Sequence, residues 1–373
     1  MSEEAAQTLY NLPGDIYDHL SDFLDNKSLY VFLTLSPKIT VAKYQLLKRK
    51  WHTRSIRALV IDGDLRGIQY LQRREATKTP TTTKTAKKLV LTTDNMTLAC
   101  IHGHLLLVQY FYSMGVTCYN RRPHYPTSTV LDWTCEKGHL AVAQFLHSIG
   151  TKWTDCAVSK ASEHGHLAVV QFLHSIGATK CVCRGVTYSM NWASRNGHLG
   201  VVQFLHSIGG KCNRYALNWA AEHGHLDVLQ FLYGIGMTAD IYLMELASRN
   251  GHLDVVQYLH GIGMTCNEKA MDWACLGGHY DTVKYLHGIG ATCSADAMGW
   301  VSENGHLETL QFLHGIGAKC NTSAMDLASM KGHLDVLKFL HSIGATFTSC
   351  AIQWARECGH LDVVGFLTAL SAF

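Results

Sequence analysis

Three ladders of side chains in this sequence have the chemistry of catalysis or metal binding. The first is histidine: His104, His139, His166, His198, His225, His252, His279, His306, His333 and His360 each follow a glycine. The second is also histidine: His147, His174, His206, His260, His287, His314 and His341. Imidazole can relay protons near neutral pH or ligate metal. Equivalent positions in stacked helices lie about 10 Å apart, however, and metal–nitrogen bonds are only about 2 Å long. Successive histidines therefore cannot share an ion, and both ladders read as turn and packing residues, with a pH-sensitive stack as the alternative. The third ladder is Cys118, Cys212, Cys266, Cys293 and Cys320, each 15 residues after such a glycine. Disulfide formation needs Cα atoms within about 7 Å, so these thiols are expected to be reduced and half-buried, in a reducing compartment. Cys181 and Cys183 form a CxC rather than a CxxC, which gives no zinc site. No GxSxG, P-loop, dinucleotide-binding or HExxH pattern occurs. Asp227, Asp254 and Asp281 recur because their phrase recurs. No enzyme activity, cofactor or metal is expected.

The phrase that carries these residues sets the architecture. Gly251 to Gly263 reads Gly-His-Leu-Asp-Val-Val-Gln-Tyr-Leu-His-Gly-Ile-Gly. Copies begin at Gly138, Gly165, Gly197, Gly224, Gly278, Gly305, Gly332 and Gly359, with a looser one at Gly103. From Gly197 to Gly359 every step is 27 residues. A fixed period in this range means a stack of repeats, because one repeat cannot bury its own apolar face. Around Gly278 a first helix is predicted over 268–276 and a second over 280–288. Gly290 then stops the second helix as a left-handed cap. Trp133, Trp192, Trp219, Trp273, Trp300 and Trp354 each stand five residues before their glycine. One buried Trp removes about 150–250 Å² from water, so this ladder reads as inter-repeat core, with a binding stripe as the alternative.

Composition agrees with a globular helical chain. The 373 residues are 47% apolar and 16% charged, with only 5 prolines. No apolar run approaches the ~18–20 residues needed to cross a membrane. Residues 1–8 are acidic, lack a signal core and read as a disordered tail. Charge is asymmetric. From Lys38 to Lys88 there are 14 Lys/Arg against Asp62, Asp64 and Glu75, a balance of +11 that leaves −8 elsewhere in a total of +3. This basic neck reads as a solvated face and linker, with an acidic partner surface as the alternative. Nucleic acid is not expected, because no aromatic platform accompanies the charge.

The N-terminal segment follows a different pattern. Pro13, Asp15 and Asp18 suit a helix start, and Ile16, Leu20, Phe23 and Leu24 keep helical spacing. A second helix runs through Leu29, Phe32, Leu33 and Leu35 to Pro37, and a third carries Val41, Tyr44, Leu46, Leu47 and Trp51. Leu12-Pro13, Asp15-Ile16, Leu20, Phe23-Leu24-Asp25 and the 29–36 helix resemble an F-box. The resemblance implies docking on the Skp-type adaptor of a cullin–RING ubiquitin ligase through Leu12, Pro13, Ile16, Leu20, Leu24, Leu29 and Phe32. Pro37-Lys38-Ile39 departs from the family, which usually has an aromatic there. The competing expectation is a helical end cap on the first repeat.

The repeats resemble ankyrin repeats. The Gly-His-Leu-Asp-Val-Val start, the Phe/Tyr-Leu pair and the closing Gly-Ala match that family's second helix. The family's period is about 33 residues, and its Thr-Pro-Leu-His opening is absent, so the array is expected to be poor in hairpins. Two longer steps, 103–138 and 165–197, could restore projecting loops. The resemblance implies that the turn histidine hydrogen-bonds backbone. It also implies that the end of each first helix faces a partner. A binding face should show where the repeats differ, so the candidate target-binding residues, with ordinary solvated positions as the alternative, are the variable ones before each glycine: Glu136, Lys137, Glu163, His164, Arg195, Asn196, Glu222, His223, Arg249, Asn250, Glu303 and Asn304. The polar residues six before it join them: Asp132, Asn191, Asn218, Glu245, Asp272 and Asp326.

The sequence thus predicts an all-α ankyrin-like solenoid of about eleven repeats with an N-terminal three-helix F-box-like unit. The divisions are 1–8 tail, 9–54 F-box-like unit, 55–90 degenerate first repeat and basic linker, and 91–373 repeat array. The expected function is an adaptor that holds an unidentified target protein near a ubiquitin ligase, in the cytoplasm or the nucleus. The alternative is a scaffold that sequesters its partner. This pairing of modules resembles proteins by which large DNA viruses redirect host ubiquitination.

Overall fold

A computed structural model of the chain describes residues 51, 55–76, 91–118, 129–154, 156–178 and 183–371. The F-box-like residues Leu12 to Phe32 and the tail lie outside the described residues. Every regular element among the described residues is a helix, and no strand occurs there. The chain divides into two compact units, residues 1–157 and 158–373.

In each unit the repeating element is a pair of short helices. The Gly278 repeat has helices Glu268–Leu276 and Tyr280–Gly288, as the sequence predicts. Gly290 follows with φ +93°, a left-handed value that side chains other than glycine rarely adopt. The core comes from Ala270, Met271 and Ala274 on the first helix and Val283 and Leu286 on the second, all fully buried. Small alanines on the first helices let neighbouring helices approach closely, while branched residues fill the gap to the second. The first unit contains an unusual pair, Ile56–Ile61 and Leu65–Ala76. There Asp64 stands in the histidine position and accepts a 2.6 Å hydrogen bond from the indole of buried Trp51. Trp51, assigned by sequence to the N-terminal helices, packs on this pair and meets Tyr70 at 5.2 Å.

The turn histidine does more than close its own turn. It is the N-cap residue of the second helix, yet its ring makes no capping bond. The ring reaches instead to the preceding repeat. His104, His139, His198, His225, His252 and His279 lie 2.8–3.1 Å from the carbonyls of Ile61, Ile101, Glu163, Arg195, Glu222 and Arg249. A carbonyl only accepts, so Nε2 carries the proton and donates. The same ring covers the preceding repeat's glycine. A β-carbon on Gly197 would sit 2.6 Å from His225 Nδ1. That glycine also holds φ +75°.

Gly197→Ala should therefore destabilise the protein by about 2–4 kcal/mol, since left-handed strain and a ring collision add. Gly209→Ala has φ +86° but open space around it, and should cost only about 1–2 kcal/mol. Denaturant titration separates them, and equal losses would refute the ring contact. Burial holds His139, His225 and His306 below the usual imidazole pKa. A base depressed in the folded state takes up its proton more readily when unfolded, so stability is full above the unfolded pKa and declines as pH falls below about 6.5. The melting temperature should drop between pH 7.5 and 5.5. A flat profile would contradict neutral, buried rings.

Candidate protein-binding face

In the second unit, first helices offer one stripe that their neighbours leave open, except that its middle position in the Gly251 repeat, Leu246, is buried. In the helix Cys183–Arg195 the stripe is Tyr188, Trp192 and Arg195, spaced four and three apart, which places them on one side. Arg195 stacks on two indoles, with its guanidinium carbon 5.2 Å from the Trp192 ring and 5.7 Å from the Trp219 ring. The indoles lie 5.3 Å apart, and Tyr215 stacks on Trp219 at 5.7 Å. Arg214 lies over Tyr215 at 5.8 Å, and Arg249 lies over Trp273 at 4.8 Å.

The tryptophans correct the expectation of a buried ladder. All six are half-buried, and none belongs to the core. The core is filled by the small and branched residues of both helices, and the indoles stay partly open, with Trp192 and Trp219 meeting across a repeat boundary.

The residues six before each glycine also behave differently from expectation. Asp132 and Asn191 are 1% exposed and Asp326 6%. Five of the six bond the segment that opens the next first helix: Asp132 to Thr154, Asn191 to Asn213, Glu245 to Asn267, Asp272 to Ser294 and Asp326 to Thr348, at 2.7–2.9 Å. These five are inter-repeat clasps rather than a binding face, and Asn218 at the same position is half-buried. Their variety reflects alternative ways to satisfy a buried polar pair.

The residues one and two before each glycine lie where the sequence puts them, at the end of the first helix, half-buried or exposed. Those one before are partly committed. His164, His223, Asn250 and Asn304 each engage the carbonyl four residues back, at 2.9–3.0 Å. Asn196 donates to the Glu163 carbonyl. Asn and His recur there because either can satisfy an orphan carbonyl at a helix end. Those two before alternate in sign through Glu163, Arg195, Glu222 and Arg249. On either side of that run, Glu136 meets Lys137 at 3.5 Å and Glu303 meets Lys331 at 3.7 Å. Both are surface pairs of small energetic weight.

Sequence reasoning missed Tyr188, Tyr215 and Tyr242, which are 58%, 48% and 48% exposed. The available signal was register: all three stand nine residues before their glycines, in consecutive repeats.

The second histidine ladder packs edge-on against the next repeat. His174 meets Phe204, His206 meets Phe231, His287 meets Phe312 and His314 meets Phe339, all at 5.7–5.9 Å. Among the described residues no three His, Cys, Asp or Glu side chains converge as a metal site, and no helix is long and apolar enough to cross a membrane.

The cysteine ladder is half-buried, and its members are free thiols. In the first unit Cys118 and buried Cys100 are hydrogen-bonded. That bond, helped by the Thr151 hydroxyl, brings the Cys118 thiol down to about 7, while Cys100 is pushed up. Burial raises Cys212 and Cys320. Thiolate is the reactive form, so iodoacetamide at pH 7 should modify Cys118 before either of them. Peptide mapping over time checks the order, and equal rates would refute the Cys100 contact.

Comparison with known proteins bears on these repeats. The family model described as ankyrin repeats (3 copies) matches residues 158–243. Among solved structures, the crystal structure of the human ASB11 ankyrin repeat domain matches with a TM-score of 0.41 and 19% identity, over 49% of this chain and 96% of that one. No curated protein matches the chain. Its segment 158–243, with the Trp192–Arg195–Trp219 stack inside it, is built of ankyrin repeats.

Proposed function

We propose that the protein is an adaptor. The open first-helix face takes a target protein, and the N-terminal helices take the Skp-type adaptor of a cullin–RING ligase. Ankyrin repeats make the chain a protein-interaction scaffold. The observation that carries the target half is the contiguous Trp–Arg–Trp–Tyr stack on one face, since these residue types dominate binding hot spots. The ligase half rests on the spacing of Leu12, Pro13, Ile16, Leu20, Leu24, Leu29 and Phe32. The mechanism is proximity: a rigid stack holding target and ligase together raises their effective concentration without any chemistry of its own. This reading places the chain in the cytoplasm or nucleus, where thiols stay reduced.

One observation favours a second reading, a sequestering scaffold whose N-terminal helices only cap the stack. Trp51 is 3% exposed and bonded to Asp64, so the end of the N-terminal segment is used for packing. Titration of the full chain with a Skp-type adaptor decides between the two. Binding that Leu20→Asp with Leu24→Asp abolishes, at unchanged helical circular dichroism, is the expected result. No binding by the parent protein would leave the scaffold reading alone.

A further inference from the structure

The rail of rings from Tyr188 to Trp273 is interrupted by buried Leu246 in the Gly251 repeat, where Tyr242 continues it; its period limits what can lie along it. Tyr188, Tyr215 and Tyr242 occupy one register position in three consecutive repeats. Neighbouring helices pack about 8–10 Å apart. A bound chain must therefore present similar groups at about that interval. A β-strand repeats a face every two residues, about 6.6–6.8 Å. An α-helix turns roughly every 5.4 Å and returns to the same face after two turns, about 10.8 Å. A polyproline-type helix has three residues per turn and rises about 3.1 Å per residue, so one ridge recurs every ~9.3 Å. Of these spacings only the last falls inside the interval of about 8–10 Å between the repeats.

Charge adds a second condition. Arg195, Arg214 and Arg249 line the rail with their guanidinium faces on rings. A guanidinium stacked by its face still directs N–H groups outward from its edge, in the geometry that carboxylates fit. Two nearby acids are engaged locally: Glu245 accepts from Asn267 at 2.7 Å, and Asp240 accepts from the Tyr242 amide. Glu163 and Glu222 alternate with the arginines, which disfavours a polyphosphate backbone, since single strands seek an unbroken basic groove.

We infer that this rail docks an extended polyproline-type peptide segment, with prolines on the tyrosine and tryptophan rings and acidic side chains on the arginines. Proline rings suit aromatic surfaces, and the preformed helix loses little entropy on binding. The inference rests on the proposal that this face binds the target and names the kind of segment it takes.

Fluorescence anisotropy with the full chain tests it. The probes are a labelled peptide of four Pro-Pro-Glu triplets, one of four Gly-Ser-Glu triplets, and an oligothymidine of matching length. The first should bind at least about tenfold tighter than the second. Tyr188→Ala, Tyr215→Ala and Tyr242→Ala combined, all on exposed side chains, should weaken it about tenfold at unchanged circular dichroism. Arg249→Glu should weaken it too. Equal affinity for both peptides, no binding, or tighter binding of oligothymidine would each overturn the inference. A photo-crosslinking residue placed at Tyr215, compared with one at exposed Gln257 on a second helix, then locates the fault. Adducts specific to Tyr215 on segments without proline would leave the face standing and remove only the ligand class. Equal adducts at both positions would remove the face as well.

Discussion

The contact between a histidine ring and the glycine of the preceding repeat is what the rest of the stack depends on. It joins two demands at one place. The glycine must hold a left-handed backbone, and it must have no side chain, because the next ring occupies that space. The ring's Nε2–H then satisfies a carbonyl at the end of the previous first helix, one of the orphan acceptors that every helix end leaves. One side chain thus fixes the distance, the rotation and the hydrogen bonding between repeats. No capping residue such as serine could do this, because a short side chain serves only its own helix.

The other repeated choices follow from that fixed register. With the turns held together, first helices approach closely only if the facing residues are small, which accounts for Ala216 and Ala220, Ala270 and Ala274, and Ala324 and Ala328, all fully buried. Close approach in turn buries the polar residue six before the glycine, which must find a partner. It finds one 22 residues later, in the segment that opens the next first helix. Loss of either partner would leave a buried polar group unpaired, at about 1–3 kcal/mol.

The helix pairs were legible in sequence because glycine and period mark their ends without ambiguity, and the bounds around Gly278 agree to the residue. The partners of the turn histidine were not. A local motif shows that His279 stands in a turn, but not that it reaches Arg249, thirty residues back. The clasp at Asp132 and Asp326 was misread because variation among polar types looks the same for a solvated position and for a buried one paired at long range. The tryptophan ladder was misread because area gives the size of a hydrophobic effect but not its direction. Trp192 and Trp219 cover a boundary without entering it. Tyr188, Tyr215 and Tyr242 escaped notice because they occupy only three repeats.

Counting uses along one first helix separates scaffold from surface. Positions eight, seven, four and three before the glycine form the core in the Gly278 repeat, as Ala270, Met271, Ala274 and Cys275. Position six holds the next repeat, and position one bonds the helix end. Positions nine and two carry none of these duties, and position five enters the core only as Leu246. In the two repeats where the ankyrin match is centred they hold Tyr188, Trp192 and Arg195, then Tyr215, Trp219 and Glu222. A scaffold with no further role would leave such positions to small or charged solvated residues, since exposed rings gain little there from folding and invite association. Large rings with stacked guanidinium groups at these positions are therefore the residues that folding does not explain, and the ones a partner would.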